Sequence, residues 1–188
     1  MSRIWIFSSR KQPKVSLKKI EKENISTFHR DVLMIAIKNA RRAARLYDRK
    51  SVMFNRVDEQ GSLSLPTVTG NRSAFVSVLR NLFENSLKYA PRDVTEPRIV
   101  ITFDLSEKDY LNVRVRDYGL GIAPEERQHI FSEGFRGSAA HEIGAIGSGV
   151  GLTYSRELMR QYGGDLLYDG KPPDGEPGAI FVLRIRRA

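Results

Sequence analysis

Three polar residues on one helix are the first candidates for chemistry. Arg72 to Tyr89 reads as an amphipathic helix in which Phe75, Leu79, Leu82, Phe83 and Leu87 form a core-facing stripe. Asn81, Asn85 and Lys88 recur at i, i+4 and i+7, so they share a second face. Asn85 offers a carbonyl oxygen, which a hard metal ion accepts as a ligand. Lys88 offers a movable cationic donor suited to phosphate oxygens. Taken alone, the same face is also what a solvated helix presents. Glu84 is acidic and adjacent, but the spacing is read as placing it on another face.

Two glycine clusters add to this. Asp117-Tyr118-Gly119-Leu120-Gly121-Ile122 follows directly on a predicted strand. Asp117 can accept a hydrogen bond from an exocyclic amine, and the glycines let backbone approach a flat ring. A strand ending in an Asp-Gly turn is common, so the cluster is weak alone. Gly147-Ser148-Gly149-Val150-Gly151-Leu152 opens a helix. Backbone N–H groups at such a start suit an anion such as phosphate; a glycine hinge is the alternative. No Lys-Ser/Thr follows, so it is not a P-loop. The spacing and the preceding loop exclude the dinucleotide fingerprint.

The elements that must position these groups read as follows. Ser26 or Thr27 can cap a helix from about His29 to Tyr47. Val52 to Phe54 opens a strand, and a turn at 59–61 with a second strand at 63–65 would make a hairpin. Pro91 ends the Asn-bearing helix. Ile99 to Phe103 and Leu111 to Val115 are strands rich in β-branched residues, antiparallel across a short connection. Pro124 starts a short helix ending near Phe131. Residues 132–149 hold five glycines and little periodicity, as expected of a functional loop or lid. A helix from Gly149 to Tyr162 stops at Gly163-Gly164. Leu166 to Tyr168 and Ile180 to Ile185 are the last strands.

Composition bounds the rest. The chain of 188 residues, 40% hydrophobic and 28% charged, is long enough for one globular core. The absence of cysteine removes disulfides, thiolate catalysis and Cys-ligated zinc. No apolar run approaches the ~20 residues of a membrane span. The net charge of +9 sits almost wholly in residues 1–50, which carry 14 Lys/Arg against 4 Asp/Glu. An anionic partner or a solvated basic arm both explain this. Interleaved aromatics are lacking there, so nucleic acid is not the expected partner.

In their order, the Asn helix, the strand-borne DxGxG, the stretch Ile130-Phe131-Ser132-Glu133-Gly134-Phe135-Arg136 and the GxGxGL helix start resemble the ATP-binding domain of two-component sensor histidine kinases. The wider superfamily includes gyrase, heat-shock chaperones and mismatch-repair ATPases. The four stretches are similar to that family's N box, first glycine box, F box and second glycine box, over about residues 50–188.

That resemblance implies roles. Asn85 would hold Mg²⁺, which bridges the ATP phosphates, and Asn81 would support the ion or its waters. Lys88 would contact phosphate, so Asn81, Asn85 and Lys88 form the catalytic set. Tyr89 would pack by the nucleotide. Asp117 would accept from the adenine amine, with Gly119, Gly121 and Ile122 around the ring. Phe131 and Phe135 would anchor a lid formed by residues 132–146, and Arg136 would reach phosphate. Gly147, Ser148, Gly149, Val150, Gly151 and Leu152 would cradle the triphosphate.

Relatives that hydrolyse ATP or phosphorylate serine usually carry Glu where this chain has Asn81, which favours a histidine acceptor. His29, His129 and His141 lack the family's acceptor pattern, and Ala179 replaces a frequent Thr or Ser. The implied fold is a two-layer α+β sandwich of the Bergerat type: a mixed, mostly antiparallel sheet of about five strands backed by three helices, with a mobile ATP lid. Residues 1–27 are expected to be a basic arm or linker and 28–188 the catalytic domain. The implied function is γ-phosphoryl transfer from Mg-ATP to a histidine on a separate dimerisation domain of the same kinase, upstream of a response regulator. Its expected place is the cytoplasm or the cytoplasmic portion of a membrane-anchored sensor. An anti-sigma-like or degenerate regulatory module, or a slow ATPase clamp, are the alternatives.

Overall fold

The computed structural model describes residues 22–58, 65–144, 147–170 and 172–188. Five strands form the main sheet: β2 (Met53–Asp58), β4 (Arg98–Asp104), β5 (Tyr110–Asp117), β6 (Asp165–Gly170) and β7 (Ile180–Arg186), in the order β2-β4-β5-β7-β6. β2 and β4 run parallel, and every other neighbouring pair is antiparallel. The sheet is therefore mixed and mostly antiparallel, as expected. Two strands went unread in the sequence: β1 (Glu23–Ile25) pairs antiparallel with β3 (Val68–Gly70). Residues 23–25 belong to the stretch read as an arm, and Ile25 is buried in the core.

The first helical run starts as a π turn (His29–Leu33), continues as α1 (Met34–Ala43) and tightens into a 3₁₀ turn (Ala44–Tyr47). α2 (Arg72–Lys88) is capped by Asn71, whose side chain accepts from the Ala74 N–H at 2.9 Å. Such a cap contributes about 1 kcal/mol. A short helix α3 (Ser138–Glu142) interrupts the glycine-rich loop, and α4 (Gly151–Gln161) follows it. Beyond Pro124 the chain makes only a 3₁₀ turn (Pro124–Glu126) and further turns, not the short helix expected.

Alternation along the strands decides which face packs. Ile99, Ile101 and Phe103 of β4, Leu111, Val113 and Val115 of β5, and Phe181, Leu183 and Ile185 of β7 are buried in one core with Phe75, Val78, Leu79, Leu82, Phe83 and Leu87 of α2. Α1 and α4 flank α2, and α4 also packs on β6. The opposite sheet face carries ion pairs, among them Arg114 with Asp104 and Asp169, and Arg116 with Asp174. The turn of the expected hairpin at 59–61 and Leu63 lie outside the described residues. Leu65 is not in a strand, and β2 pairs with β4.

Candidate functional site

The C-terminal half of α2, the end of β5 and the start of α4 meet around one cavity. At one end it is lined by Asp117, Gly121, Ile122, Glu126, Ala139, Ala140, Ala179 and Phe181. At the other it is lined by Tyr47, Asn81, Glu84, Lys88, Gly147, Ser148, Gly149 and Gly151. Asn85, Tyr89, Ile130, Phe135, Arg136 and Leu152 line both parts and make them continuous.

One end is built on Asp117, the last residue of β5. Its Oδ1 accepts from the Gly119 N–H at 3.0 Å and from the Ala179 N–H at 3.1 Å. Both bonds fall on one oxygen, which orients the carboxylate and leaves Oδ2 for a ligand. Burial pushes the carboxyl above its ordinary range, against the two N–H bonds and the nearby Arg116 charge. Around it the walls include Ile122, Ala140, Leu152 and Phe181, so the surroundings of the Asp117 carboxylate are largely apolar. Such a slot fits a flat heterocycle that presents an amine.

At the other end Lys88 and Arg136 stand beside the glycine-rich backbone of 147–151. Burial, and then the charge of Arg136, lowers the Lys88 ammonium from its ordinary value. A Cβ placed on Gly147 would lie 2.9 Å from Lys88 Nζ, so that ammonium reaches the glycine loop. Gly149 has φ +73°, and a Cβ there would stand 2.6 Å from the Phe135 carbonyl oxygen. Glycine alone fits that turn. At Gly151 a Cβ would meet Asn81 Oδ1 at 2.6 Å, so α4 begins hard against α2. The Asn81 amide donates to Ser155 Oγ of α4 at 3.0 Å.

The structure places most of the sequence-derived residues on these walls. Gly119 instead packs beneath Tyr89, where a Cβ would stand 2.8 Å from the Tyr89 carbonyl oxygen. Phe131 also lies off the cavity; the Arg156 guanidinium stacks 4.5 Å from its ring centroid, and Thr153 Oγ1 donates to its carbonyl at 3.0 Å. Val150 is exposed at the start of α4.

Glu84 corrects the sequence reading. It lies three residues after Asn81 and four before Lys88, so it lines the same groove, with Arg80 Nε 3.8 Å from its carboxylate. Tyr47 and Glu126 were not foreseen either. Glu126 Oε1 accepts from the Ser138 N–H at 2.6 Å, and this bond lowers the Glu126 carboxyl. At the other end of α3, Arg92 Nη2 donates to the Ile143 carbonyl at 3.3 Å. Those two contacts join the lid helix to the body. No local sequence signal marks either of them.

Asn85 fits a metal's needs: its half-buried amide makes no side-chain hydrogen bond among the described residues, and it lines both parts of the cavity. Its carbonyl is thus a hard oxygen donor in the groove that Lys88 also lines.

Comparison with known proteins now decides the family. Residues 70–188 match the model of histidine kinase-, DNA gyrase B- and HSP90-like ATPases. The chain belongs to this family. Curated relatives include the sensor histidine kinase Hik2 of Synechocystis sp., 33% identical over 63% of this chain and 29% of Hik2. Another is the sensor-like histidine kinase SenX3 of Mycobacterium tuberculosis, 31% identical over 63% of this chain and 27% of SenX3. The chain thus spans under a third of the length of these relatives. Among solved structures, the catalytic domain of histidine kinase ThkA aligns with a TM-score of 0.66 at 20% identity, covering 89% of this chain and 99% of that one. The mycobacterial sensor histidine kinase MprB aligns with a TM-score of 0.65 at 20% identity, over 89% and 98% of the two chains. The fold is that of histidine kinase catalytic domains.

Proposed function

We propose that this chain binds Mg-ATP and donates the γ-phosphoryl group to a histidine on a separate dimerisation domain of its parent kinase, which passes it to a response regulator. The observation that carries the reading is the continuous cavity with the oriented, buried Asp117 carboxylate at one end and Lys88 with the glycine loop at the other. Asp117 Oδ2 accepts from the adenine amine, and Ile122 and Leu152 flank the ring. Lys88 and the N–H groups of 147–151 meet the phosphates, and Arg136 adds positive charge. The Asn85 carbonyl holds Mg²⁺, which neutralises phosphate charge when bound. Phosphoryl transfer asks mainly for positioning and charge neutralisation, so no protein nucleophile is needed here.

Asn81 has no carboxylate, and its amide is engaged with Ser155, which fits a reaction without a base at this position. A second reading has one observation in its favour. Glu84 puts a carboxylate in the phosphate groove, where it could orient water for slow hydrolysis. Titration calorimetry with ATP and GTP in Mg²⁺ tests the binding step. ATP should bind and GTP should not, because GTP presents a carbonyl where adenine presents the amine. Equal binding of the two contradicts the assignment of Asp117.

A further inference from the structure

We infer that Arg49 is a positioning residue for the phosphate-binding turn of α2. The inference rests on the ATP-site reading above. Arg49 is only 8% exposed, and its hydrogen bonds go to four backbone carbonyls. Nε donates to Leu87 at 3.2 Å, Nη2 to Ala90 at 2.7 Å, and Nη1 to Pro91 at 2.9 Å and Val94 at 2.7 Å. Arg49 makes no ion pair with a carboxylate among the described residues, so the guanidinium is satisfied by main chain.

The chain is bent to put it there. Asp48 takes a left-handed conformation (φ 56°) and ends the first helical run. Arg49 N–H then bonds to the Ala44 carbonyl at 3.1 Å, and Lys50 N–H to that of Thr95 at 2.9 Å. Leu87 supplies one of the last carbonyls of α2, which lack partners within the helix and form the negative end of its dipole, while Ala90, Pro91 and Val94 belong to the turn just beyond it. A buried guanidinium, with five N–H groups in a rigid fork, answers both needs in one side chain. Burying a cation is costly unless its donors are used, and here most of them are.

The consequence for the site follows from what lies between the gripped carbonyls. Leu87 and Ala90 bracket Lys88 and Tyr89, which line the phosphate groove. The Tyr89 carbonyl accepts from the Leu120 N–H at 3.0 Å, in the loop that follows Asp117. Arg49 therefore holds from below a turn that the glycine loop holds from the side. Loosening it would free Lys88 from its phosphate-facing position before it disturbed the rest of the fold.

The test is a double-mutant cycle on ATP affinity, read by calorimetry well below the unfolding midpoint of each variant. Arg49→Lys keeps the charge but serves fewer carbonyls. It is expected to retain native circular dichroism, to weaken ATP about tenfold and to weaken adenosine far less. On a Lys88→Ala background the same substitution should cost under about threefold, because the group it positions is gone. Equal losses on both backgrounds, or unchanged ATP affinity, would overturn the inference. Arg49→Gln is the second variant; if neither folds, Arg49 serves stability and the inference fails. The unmodified chain is the control: no ATP binding there would overturn the nucleotide-site reading itself.

Discussion

The Asn81 side-chain amide donates to the Ser155 hydroxyl at 3.0 Å, tying the middle of α2 to the second turn of α4. Ser155 is 2% exposed, so the bond is sheltered. It sets how closely the glycine-led start of α4 approaches the Asn81–Lys88 face of α2. Gly151→Ala would push a methyl to 2.6 Å from Asn81 Oδ1 and force the two helices apart. ATP affinity should fall by about tenfold or more, the scale of a lost hydrogen bond to a charged group at ~1.5–3 kcal/mol. Adenosine affinity should stay nearly constant, and calorimetry with both ligands checks the contrast.

Asn85→Ala should leave thermal stability within about 1 kcal/mol, since its side chain is half-buried and unpartnered. It should also remove most of the Mg²⁺ dependence of ATP binding. Mg²⁺ titrations of the variant measure this; an unchanged dependence would remove Asn85 from the metal's ligands.

The Asp117 carboxyl gives a pH signature. Burial raises it above the ordinary carboxylate range, so the folded apoprotein keeps this proton to higher pH than the unfolded chain does. Its contribution to stability is therefore most favourable at low pH and declines as pH rises from the ordinary value through the raised one. An adenine amine donates to the ionised form, so ligand affinity should rise across the same window, with proton release. Adenosine, which carries no phosphate to titrate across that window, is the suitable probe, read above the acidic range in which its own ring nitrogen protonates and in two buffers of different ionisation enthalpy. Asp117→Asn should abolish both the proton release and the pH dependence.

The lid is held at Glu126, which accepts from the Ser138 N–H and whose carboxyl that bond lowers. Protonation of Glu126 removes the charge that strengthens the bond, so the tie should weaken as pH falls through the lowered value. Glu126→Ala should speed proteolysis near Arg136 in the free protein, and ATP should restore protection. Limited proteolysis with and without ATP measures it.

What was legible in the sequence was local. The α2 stripe from Phe75 to Leu87 and the strand that ends at Asp117 depend on spacing within a few residues, and both stand in the structure as read, although Gly119 lies off the cavity. The pairing of β1 with β3 was not legible, because it joins three-residue strands some 45 positions apart, too short to show alternation. The parallel partner of β2 was missed for a similar reason: a hairpin is the nearest pairing the sequence offers, while the actual register sets Met53 against Arg98. Glu84 was read onto another face, although its spacings of three from Asn81 and four from Lys88 set it on the same one. Arg49 carries no motif at all; its role arises from carbonyls about 40 residues downstream.

Transfer of label from [γ-³²P]ATP to the parent protein's acceptor-bearing helical hairpin, supplied as a separate chain, tests the central claim most directly. This chain alone should neither label itself nor release phosphate quickly, since Asn81 supplies no carboxylate and its three histidines lack the acceptor pattern. Mixed with the hairpin, it should label a histidine there, giving a phosphoramidate that acid cleaves and base spares. Lys88→Ala should slow the transfer by about 10²-fold, as loss of a positioned charge in phosphoryl transfer does. Acid-stable label on serine or threonine, or rapid phosphate release with an unlabelled hairpin, would contradict the account.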